Sequence, residues 1–326
     1  MARPSTPVDL SIIIVNWNSK EYLRKCIASI LAETHGIEYE IVVIDNASFD
    51  GSGEMLRECY PQVRFIQSDK NLGFAKANNE AFKLSAGRSL LFLNPDTKIK
   101  DDAIVMLQRE LCSLQSVGAV GAKLLNNDMS VQTSCIQAFP NITNQVLDSN
   151  ALRTLFPMAG LWGMKPLYAN NRGPTEVDAV SGACLMIGRS VFERIGMFSE
   201  DFFMYSEDID LCFKVRKYNL RNYYIPSAVV IHYGGASSSQ NKGSTYSNVM
   251  MLESRWRFFR KTRPSWYCWF YRFAMFVASI VRIGLVLLLW PARRLQGKGL
   301  SMDAALEKWT ARLRWALGGE EWVRNH

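Results

Sequence analysis

Short apolar runs alternate with helix-period stretches along the first hundred residues. Ser11-Ile12-Ile13-Ile14-Val15 and Ile41-Val42-Val43-Ile44 are rich in β-branched residues and fit strands buried on both faces of a parallel sheet. Between them Tyr22, Leu23, Cys26, Ile27, Ile30 and Leu31 recur at helical spacing, after a polar loop, Asn16-Trp17-Asn18-Ser19, that ends in a helix-capping residue. Val63-Arg64-Phe65-Ile66 predicts a third strand. Asn71-Leu72-Gly73-Phe74 turns into a helix carrying Ala77, Ala81, Phe82 and Leu84, and Leu90–Leu93 predicts a fourth strand. Asp101-Asp102 begins a further helix, where carboxylates oppose the positive end of the dipole. This alternation, with short connections, predicts an α/β fold: a mostly parallel sheet flanked by helices.

The fourth run ends abruptly at Asn94-Pro95-Asp96. Pro95 has no N–H to give a ladder, so the strand stops there and Asp96 is left on the loop at its carboxyl end. In open α/β sheets ligands bind at that rim. A carboxylate there is either part of a turn or an anchor for a hard cation carrying substrate phosphates. Further on, Gly118–Leu125 contains a strand, and Asn141–Asn171 is polar and weakly periodic, a variable loop region. Val177–Ile187 is a strand-like run in which Gly182 would let a ligand or another backbone come close. Ser206 then stands as an N-cap before Glu207, Asp208 and Asp210. Helix-dipole complementarity explains one or two of these carboxylates; three repel one another unless a cation or a proton-transfer role compensates. Val229-Val230-Ile231 is a strand running into His232 and the pair Gly234-Gly235. His35 sits at a helix end and His326 ends the chain, which leaves His232 as the histidine at a strand end.

No GxGxxG follows the first strand and no GxxxxGK[ST] occurs, which disfavours a dinucleotide oxidoreductase and a P-loop NTPase. The seven cysteines lie far apart without a CxxC pair, the pattern of buried thiols in a reducing compartment. Met1–Asp9 is mostly polar and lacks the apolar core of a signal peptide, so the chain is expected in the cytoplasm. Residues 251–326 hold 14 basic and 5 acidic residues, leaving the first 250 with 24 and 25 of the chain's 38 and 30. A neutral body with a basic, Trp-rich tail points to an anionic membrane surface and away from nucleic acid.

That tail divides the chain into an α/β body, 1–240, and a C-terminal helical region expected at the membrane, 241–326. Trp266–Trp290 is dense in aromatic and aliphatic residues and is interrupted by Arg272 and Arg282. At about 1.5 Å per residue it could span a core of about 30 Å. The arginines favour a helix lying in the cytoplasmic interface, with Arg282 snorkelling towards the basic Arg293-Arg294 end. Met302–Leu317 sets Leu306, Trp309, Leu313 and Leu317 near one face, with Lys308, Arg312 and Arg314 mostly off it, an interfacial pattern. The same helices could instead pack on the body or between copies of the chain in a homo-oligomer.

Six segments in order carry a family resemblance: Ile14-Val15-Asn16-Trp17-Asn18, Val42-Val43-Ile44-Asp45-Asn46-Ala47-Ser48, Asn71-Leu72-Gly73-Phe74-Ala75-Lys76-Ala77-Asn78-Asn79, Leu93-Asn94-Pro95-Asp96, Ser206-Glu207-Asp208 and His232-Tyr233-Gly234-Gly235. Over about residues 9–240 the chain resembles family-2 glycosyltransferases of the GT-A fold, most like bacterial rhamnosyltransferases of cell-surface polysaccharide synthesis. The resemblance implies an inverting transfer from a nucleoside diphosphate sugar, dTDP-rhamnose, to a lipid-linked saccharide. It places Asp45 at the nucleotide base with Trp17 beside it, and Asn78 and Asn79 near the sugar-diphosphate. Asn16, Asn18, Asn71 and Asn94 join this nucleotide-sugar set. Asp208 matches the general base, with Glu207 beside it. Asn94 and Asp96 take the first and last positions of the family's DXD metal motif, and His232 matches a histidine that joins the metal or diphosphate site in some members. Asn94 stands where many members carry Asp, so a Mg2+ or Mn2+ site would lean on Asp96, the diphosphate and His232. The competing reading is a catalytically silent sugar-nucleotide-binding scaffold at the membrane.

Overall fold

The structure, a computed structural model, describes residues 8–169, 173–234, 244–295, 299–320 and 322–323. Gly235, His326 and most of the N-terminal Met1–Asp9 stretch lie outside these residues, as do the side chains of Arg293 and Arg294. In chain order the strands are β1 (Leu10–Asn16), β2 (Tyr39–Asp45), β3 (Arg64–Gln67), β4 (Ser89–Leu93), β5 (Thr97–Ile99), β6 (Val117–Leu125), β7 (Ile136–Gln137), β8 (Thr175–Val177), β9 (Ala179–Val180), β10 (Cys184–Gly188) and β11 (Arg221–His232). The α-helices are α1 (Lys20–Glu33), α2 (Ser52–Cys59), α3 (Phe74–Lys83), α4 (Ala103–Ser113), α5 (Ile142–Val146), α6 (Asn150–Leu155), α7 (Arg189–Arg194), α8 (Glu207–Lys217), α9 (Ser244–Thr262), α10 (Ser265–Leu295) and α11 (Gly299–Leu317).

The chain forms two compact units. One comprises Met1–Phe139, Phe156–Phe203 and Glu207–Ser237; the other comprises Pro140–Leu155, Met204–Ser206 and Ser238–His326. The first unit holds a mixed sheet in the order β3-β2-β1-β4-β10-β6-β11-β5, with β8 added against β11. β3, β2, β1 and β4 run parallel, β10 is antiparallel to β4 and β6, and β11 is again parallel to β6. Every residue of β1 and β4 is buried, as their unbroken apolar sequences require of strands covered on both faces. Phe92 of β4 packs against Phe192 and Phe198 with ring centres 5.0 and 4.7 Å apart. The first pair is tilted and the second edge-on; such aromatic pairs contribute about 0.5–1.5 kcal/mol each beyond their buried area, and they help fix the strand that leads to Asn94.

The chain departs from the sequence reading at several places, each for a local reason. The Ser19 hydroxyl donates to the Trp17 carbonyl instead of capping α1, and Asp50 Oδ2 accepts the Lys20 N–H at 2.8 Å in its place. Ser206 has φ 70, outside the extended range of an N-cap, and its buried hydroxyl makes no hydrogen bond. Asp101 and Asp102 precede α4 in left-handed conformation and lie outside it. The Val177–Ile187 run is split into β8, β9 and β10, because Ser181–Ala183 turns between the last two. The segment read as a loop, Asn141–Asn171, contains α5, α6 and a 3-10 turn at Lys165–Tyr168. Asn141 and Asn144 cap α5 reciprocally, each side-chain oxygen accepting the other's backbone N–H at 2.9 Å.

The second unit contains α5, α6, α9, α10 and α11. α10 is long and apolar enough to cross a membrane, and only 11% of its most apolar stretch is buried. Arg272 and Arg282, the two residues that interrupt its apolar run, have partners on α11. Arg272 donates to the Trp315 and Ala316 carbonyls at 2.7 and 3.1 Å, and the Arg282 guanidinium sits 5.2 Å from the Trp309 ring centre. On α11 the inward side is Trp309, Ala311, Arg312 and Trp315, whereas Leu317 is exposed.

Candidate active site

Strand register brings the polar ends to one rim. Asn16 pairs with Asp45 across β1 and β2, and Ile14 pairs with Leu93 across β1 and β4. The chain crosses from β2 on one side of β1 to β4 on the other, and this reversal of strand order opens a crevice at the carboxyl ends.

On the β2 side, Asp45 is 1% exposed. Its Oδ2 accepts from Asn16 Nδ2 at 2.8 Å, and its Oδ1 accepts from the Ser48 N–H at 2.7 Å and Gln67 Nε2 at 3.1 Å. Asn16 Nδ2 also reaches Ser52 Oγ at 3.0 Å, while its Oδ1 has no hydrogen-bond partner. A carboxylate has room for about four acceptor contacts, and three are filled by these donors. Trp17 is half-buried in the loop beyond β1. Asn18 has φ 47, and its Oδ1 accepts the Phe49 N–H at 2.9 Å, tying the two strand-end loops together.

Asn46 fastens the next loop: its Nδ2 donates to the Gly73 carbonyl at 3.1 Å, and the exposed Asn71 closes a tight turn on the Gly73 N–H at 2.9 Å. Gly73 has φ +77, and a Cβ there would meet the Phe203 carbonyl at 2.4 Å, so no other residue fits. Asn78 and Asn79 are both buried. Asn78 Nδ2 donates to the Phe74 carbonyl at 2.9 Å. Asn79 bridges to the Phe198 backbone through both ends of its amide, donating at 2.9 Å and accepting at 3.2 Å. These bonds hold the loop before α8.

On the other side of the crevice, β5 pairs with the end of β11, with Thr97 opposite His232, and the Tyr233 N–H donates to the Asp96 carbonyl at 2.9 Å. His232 Nε2 therefore lies 3.3 Å from both Asp96 Oδ1 and Asn94 Nδ2. The His232 tautomer follows from Gln132. Gln132 Nε2 donates to the His232 carbonyl at 2.6 Å, so its Oε1, 2.9 Å from His232 Nδ1, must accept a proton held on Nδ1. The lone pair of a neutral imidazole is then on Nε2, facing the Asp96 carboxylate. Two acceptors at that distance need a cation or a second proton between them. Asp96 Oδ1 and His232 Nε2 are hard and intermediate ligands respectively, a donor set suited to a divalent cation. Among the described residues no three His, Cys, Asp or Glu side chains gather as a metal cluster, so Asp96 and His232 make only a partial donor set.

Asp208 joins the same rim through β10. The Asn94 N–H donates to the Ala183 carbonyl at 3.0 Å, and the neighbouring Gly182 N–H donates to Asp208 Oδ2 at 2.9 Å. A Cβ on Gly182 would lie 3.2 Å from the Asp208 Cβ; the close approach expected of this glycine is an approach by the carboxylate. Asp208 Oδ1 accepts the Ile209 N–H at 2.8 Å, and the residue is half-buried, so the carboxylate is oriented yet reachable. Glu207 beside it is buried. The third carboxylate, Asp210, is structural: its Oδ2 accepts from Ser199 Oγ at 2.6 Å and pairs with Lys214 Nζ at 3.1 Å. Behind the rim, the Cys26 thiol lies 3.3 Å from Thr97 Oγ1, and burial pushes it up to about 12, so it stays protonated and is no nucleophile.

Sequence reasoning missed Gln132, which fell in a stretch without periodicity, and Ser48, Asp50 and Gln67. The one available signal for Ser48 and Asp50 was their place just after a strand end.

Residues 11–196 match the model of Glycosyl transferase family 2. The chain is 33% identical over 220 residues to the low-salt glycan biosynthesis hexosyltransferase Agl10 of Haloferax volcanii, a match covering 65% of this chain and 63% of that protein. It is 27% identical over 252 residues to the N-acetylglucosaminyl-diphospho-decaprenol L-rhamnosyltransferase of Mycobacterium tuberculosis, covering 72% of this chain and 79% of that one. The fold is shared with a mannosyltransferase of Pyrobaculum calidifontis solved with GDP-Man and Mn2+, at a TM-score of 0.58 and 16% identity, over 97% of this chain and 88% of that chain. The sheet thus has the GT-A fold. The chain belongs to glycosyl transferase family 2.

Proposed function

We propose that the chain moves rhamnose from dTDP-rhamnose to a hydroxyl of a lipid-linked saccharide, with inversion at the anomeric carbon. The observation that carries the reading is the pairing of β5 with the end of β11. It sets Asp96 and His232 3.3 Å apart beside Asn94, and β10 puts Asp208 on the same rim.

In this reading Asp45 accepts a base N–H and Trp17 packs beside the base. Asn16 and Asn18 hold those two groups in place; Asn71, Asn78 and Asn79 shape the loops around the sugar-diphosphate. Asp96 and His232 hold Mg2+ or Mn2+, with Asn94 as a neutral partner; a divalent cation there supplies charge stabilisation to the diphosphate. Asp208 takes the proton of the acceptor hydroxyl as its oxygen bonds to the anomeric carbon, and the bond from that carbon to the diphosphate breaks. Glu207, buried next to it, supports the carboxylate. Residues 1–240 carry this chemistry and 241–326 hold the chain at the cytoplasmic face of the membrane, where the basic tail meets anionic lipid.

The relatives' names support the donor class: one is a hexosyltransferase, another an L-rhamnosyltransferase whose name carries a diphospho-decaprenol lipid. Nucleoside diphosphate release by the purified chain, measured over a panel of sugar nucleotides with Mg2+, Mn2+ or chelator, tests it. Release is expected to be fastest from dTDP-rhamnose and to stop with chelator. Faster release from a UDP- or GDP-sugar would displace the donor, and binding without release from any donor would favour the silent scaffold.

A further inference from the structure

The second unit carries a positive cluster that this chemistry does not use. Arg312 of α11 is 7% exposed; its Nη2 donates to Asn248 Oδ1 at 3.0 Å and its Nε has no hydrogen-bond partner. Its guanidinium lies 4.7 Å from the Trp309 ring centre. Arg282 of α10 and Lys308 of α11 lie 5.2 and 6.0 Å from the same ring. The hydroxyl of Tyr271, a fully buried side chain, also makes no hydrogen bond.

The nearby carboxylates are committed elsewhere. Asp148, whose field reaches Lys308 and Arg312, is bonded to Arg153 at 2.8 Å. Glu253 accepts from Trp315 Nε1 at 2.9 Å and pairs with Arg257 at 3.5 Å. Burial holds the Lys308 ammonium below its ordinary pKa, and Arg312 and Arg282 push it the same way against Asp148. Burial lowers Arg312 as well. Cations gathered and desolvated in this way are costly, and an indole face offsets part of that cost at most. An anion would satisfy the remainder. The helix beside the cluster is apolar outward: Val281 and Leu285, which flank Arg282 along α10, are both exposed.

We propose that Arg282, Lys308 and Arg312 around Trp309 form a binding site for the diphosphate of a polyprenyl-diphosphate-linked acceptor, with the polyprenyl chain along the apolar face of α10. The inference rests on the lipid-linked acceptor proposed above and supplies the group by which that acceptor is recognised. A sugar-linked diphosphate carries two negative charges against three cations, whereas an ordinary phospholipid headgroup phosphodiester carries one. Guanidinium groups also match phosphate oxygens in geometry as well as charge.

The test is a titration of the full chain, in neutral detergent, with geranylgeranyl diphosphate, repeated in competition with phosphatidylglycerol. The double variant Arg282→Gln/Lys308→Gln changes two partly exposed side chains and leaves the buried Arg312 in place. It is expected to bind the probe at least about tenfold more weakly, the loss of one or more charge-assisted contacts. Lys308→Gln alone should weaken binding in the same direction and serves if the pair unfolds the tail. Arg314→Gln, an exposed cation of the same helix paired with Glu320, should leave binding unchanged. Unchanged affinity in the Lys308 and Arg282 variants, an equal loss in the Arg314 variant, or phosphatidylglycerol competing as well as the diphosphate would overturn the proposal. No sugar nucleotide is present in the titration, so its outcome is independent of whether the donor panel shows transfer.

Discussion

Asp208→Asn is expected to lower sugar transfer by about a thousandfold, within the range of about 10²–10⁴ that a positioned general base supplies. Donor affinity should change little. The amide matches the carboxylate in volume and its one oxygen can still accept the Gly182 N–H, now 2.9 Å from Oδ2, though it gives up the Ile209 N–H that Oδ1 accepts at 2.8 Å. What is lost is the ability to take the acceptor proton. Steady-state rates with donor binding measured in parallel separate the two effects. A variant that turns over at the wild-type rate would sink the assignment of the base. A variant that loses donor binding along with turnover would make Asp208 part of the donor site instead.

Asp96→Ala should act on the opposite limb. With metal present, donor affinity is expected to fall on the order of a hundredfold, because several kcal/mol of charge stabilisation on the diphosphate goes with the carboxylate. Affinity in the variant should then be the same with and without chelator. His232 alone, with Nδ1 held by Gln132, leaves one nitrogen lone pair and a neutral amide at the site. Isothermal titration with a non-transferable donor analogue reads this directly. Wild-type affinity that ignores chelator would remove the cation from the account.

β1, β2 and β4 were legible because their buried stretches carry short runs of Ile, Val, Leu and Phe; β3, Arg64–Gln67, is half-buried and mixed in sequence. β11 was legible only in its last third. Its first residues, Arg221-Asn222-Tyr223-Tyr224, alternate in burial next to a register shift, and a mixed aromatic and polar stretch of that kind carries no clear period. α9 was missed because Ser244–Thr262 mixes buried Glu253 and Ser254 with its apolar side. The tail misled in a physical way. Arg272 and Arg282 read as interruptions of the apolar Trp266–Trp290 run and Arg312 as a residue off the apolar face of its helix, yet carbonyl oxygens and indole rings give them partners inside the unit.

The candidate site was legible wherever a polar residue ended an apolar run: Asn16, Asp45, Asn94, Asp96 and His232 were all marked in that way. Long-range partners left no such mark. Gln132 is a hundred residues from His232; the parallel pairing of β6 with β11, which sets Leu125 opposite Ile231, and the Leu125–Val131 bridge bring them together. The crowded carboxylates of α8 also needed the structure, which separates Asp210, tied to Ser199 and Lys214, from Asp208, held by backbone N–H groups near Asn94.

The mechanism we propose is a single displacement in which Asp208 activates the acceptor and no covalent bond to the protein forms. The anomeric configuration of the first-formed product, read by NMR during turnover of the purified chain with its donor, tests it most directly. A glycosidic bond inverted relative to the donor is the expected result. A product that keeps the donor's configuration would contradict it.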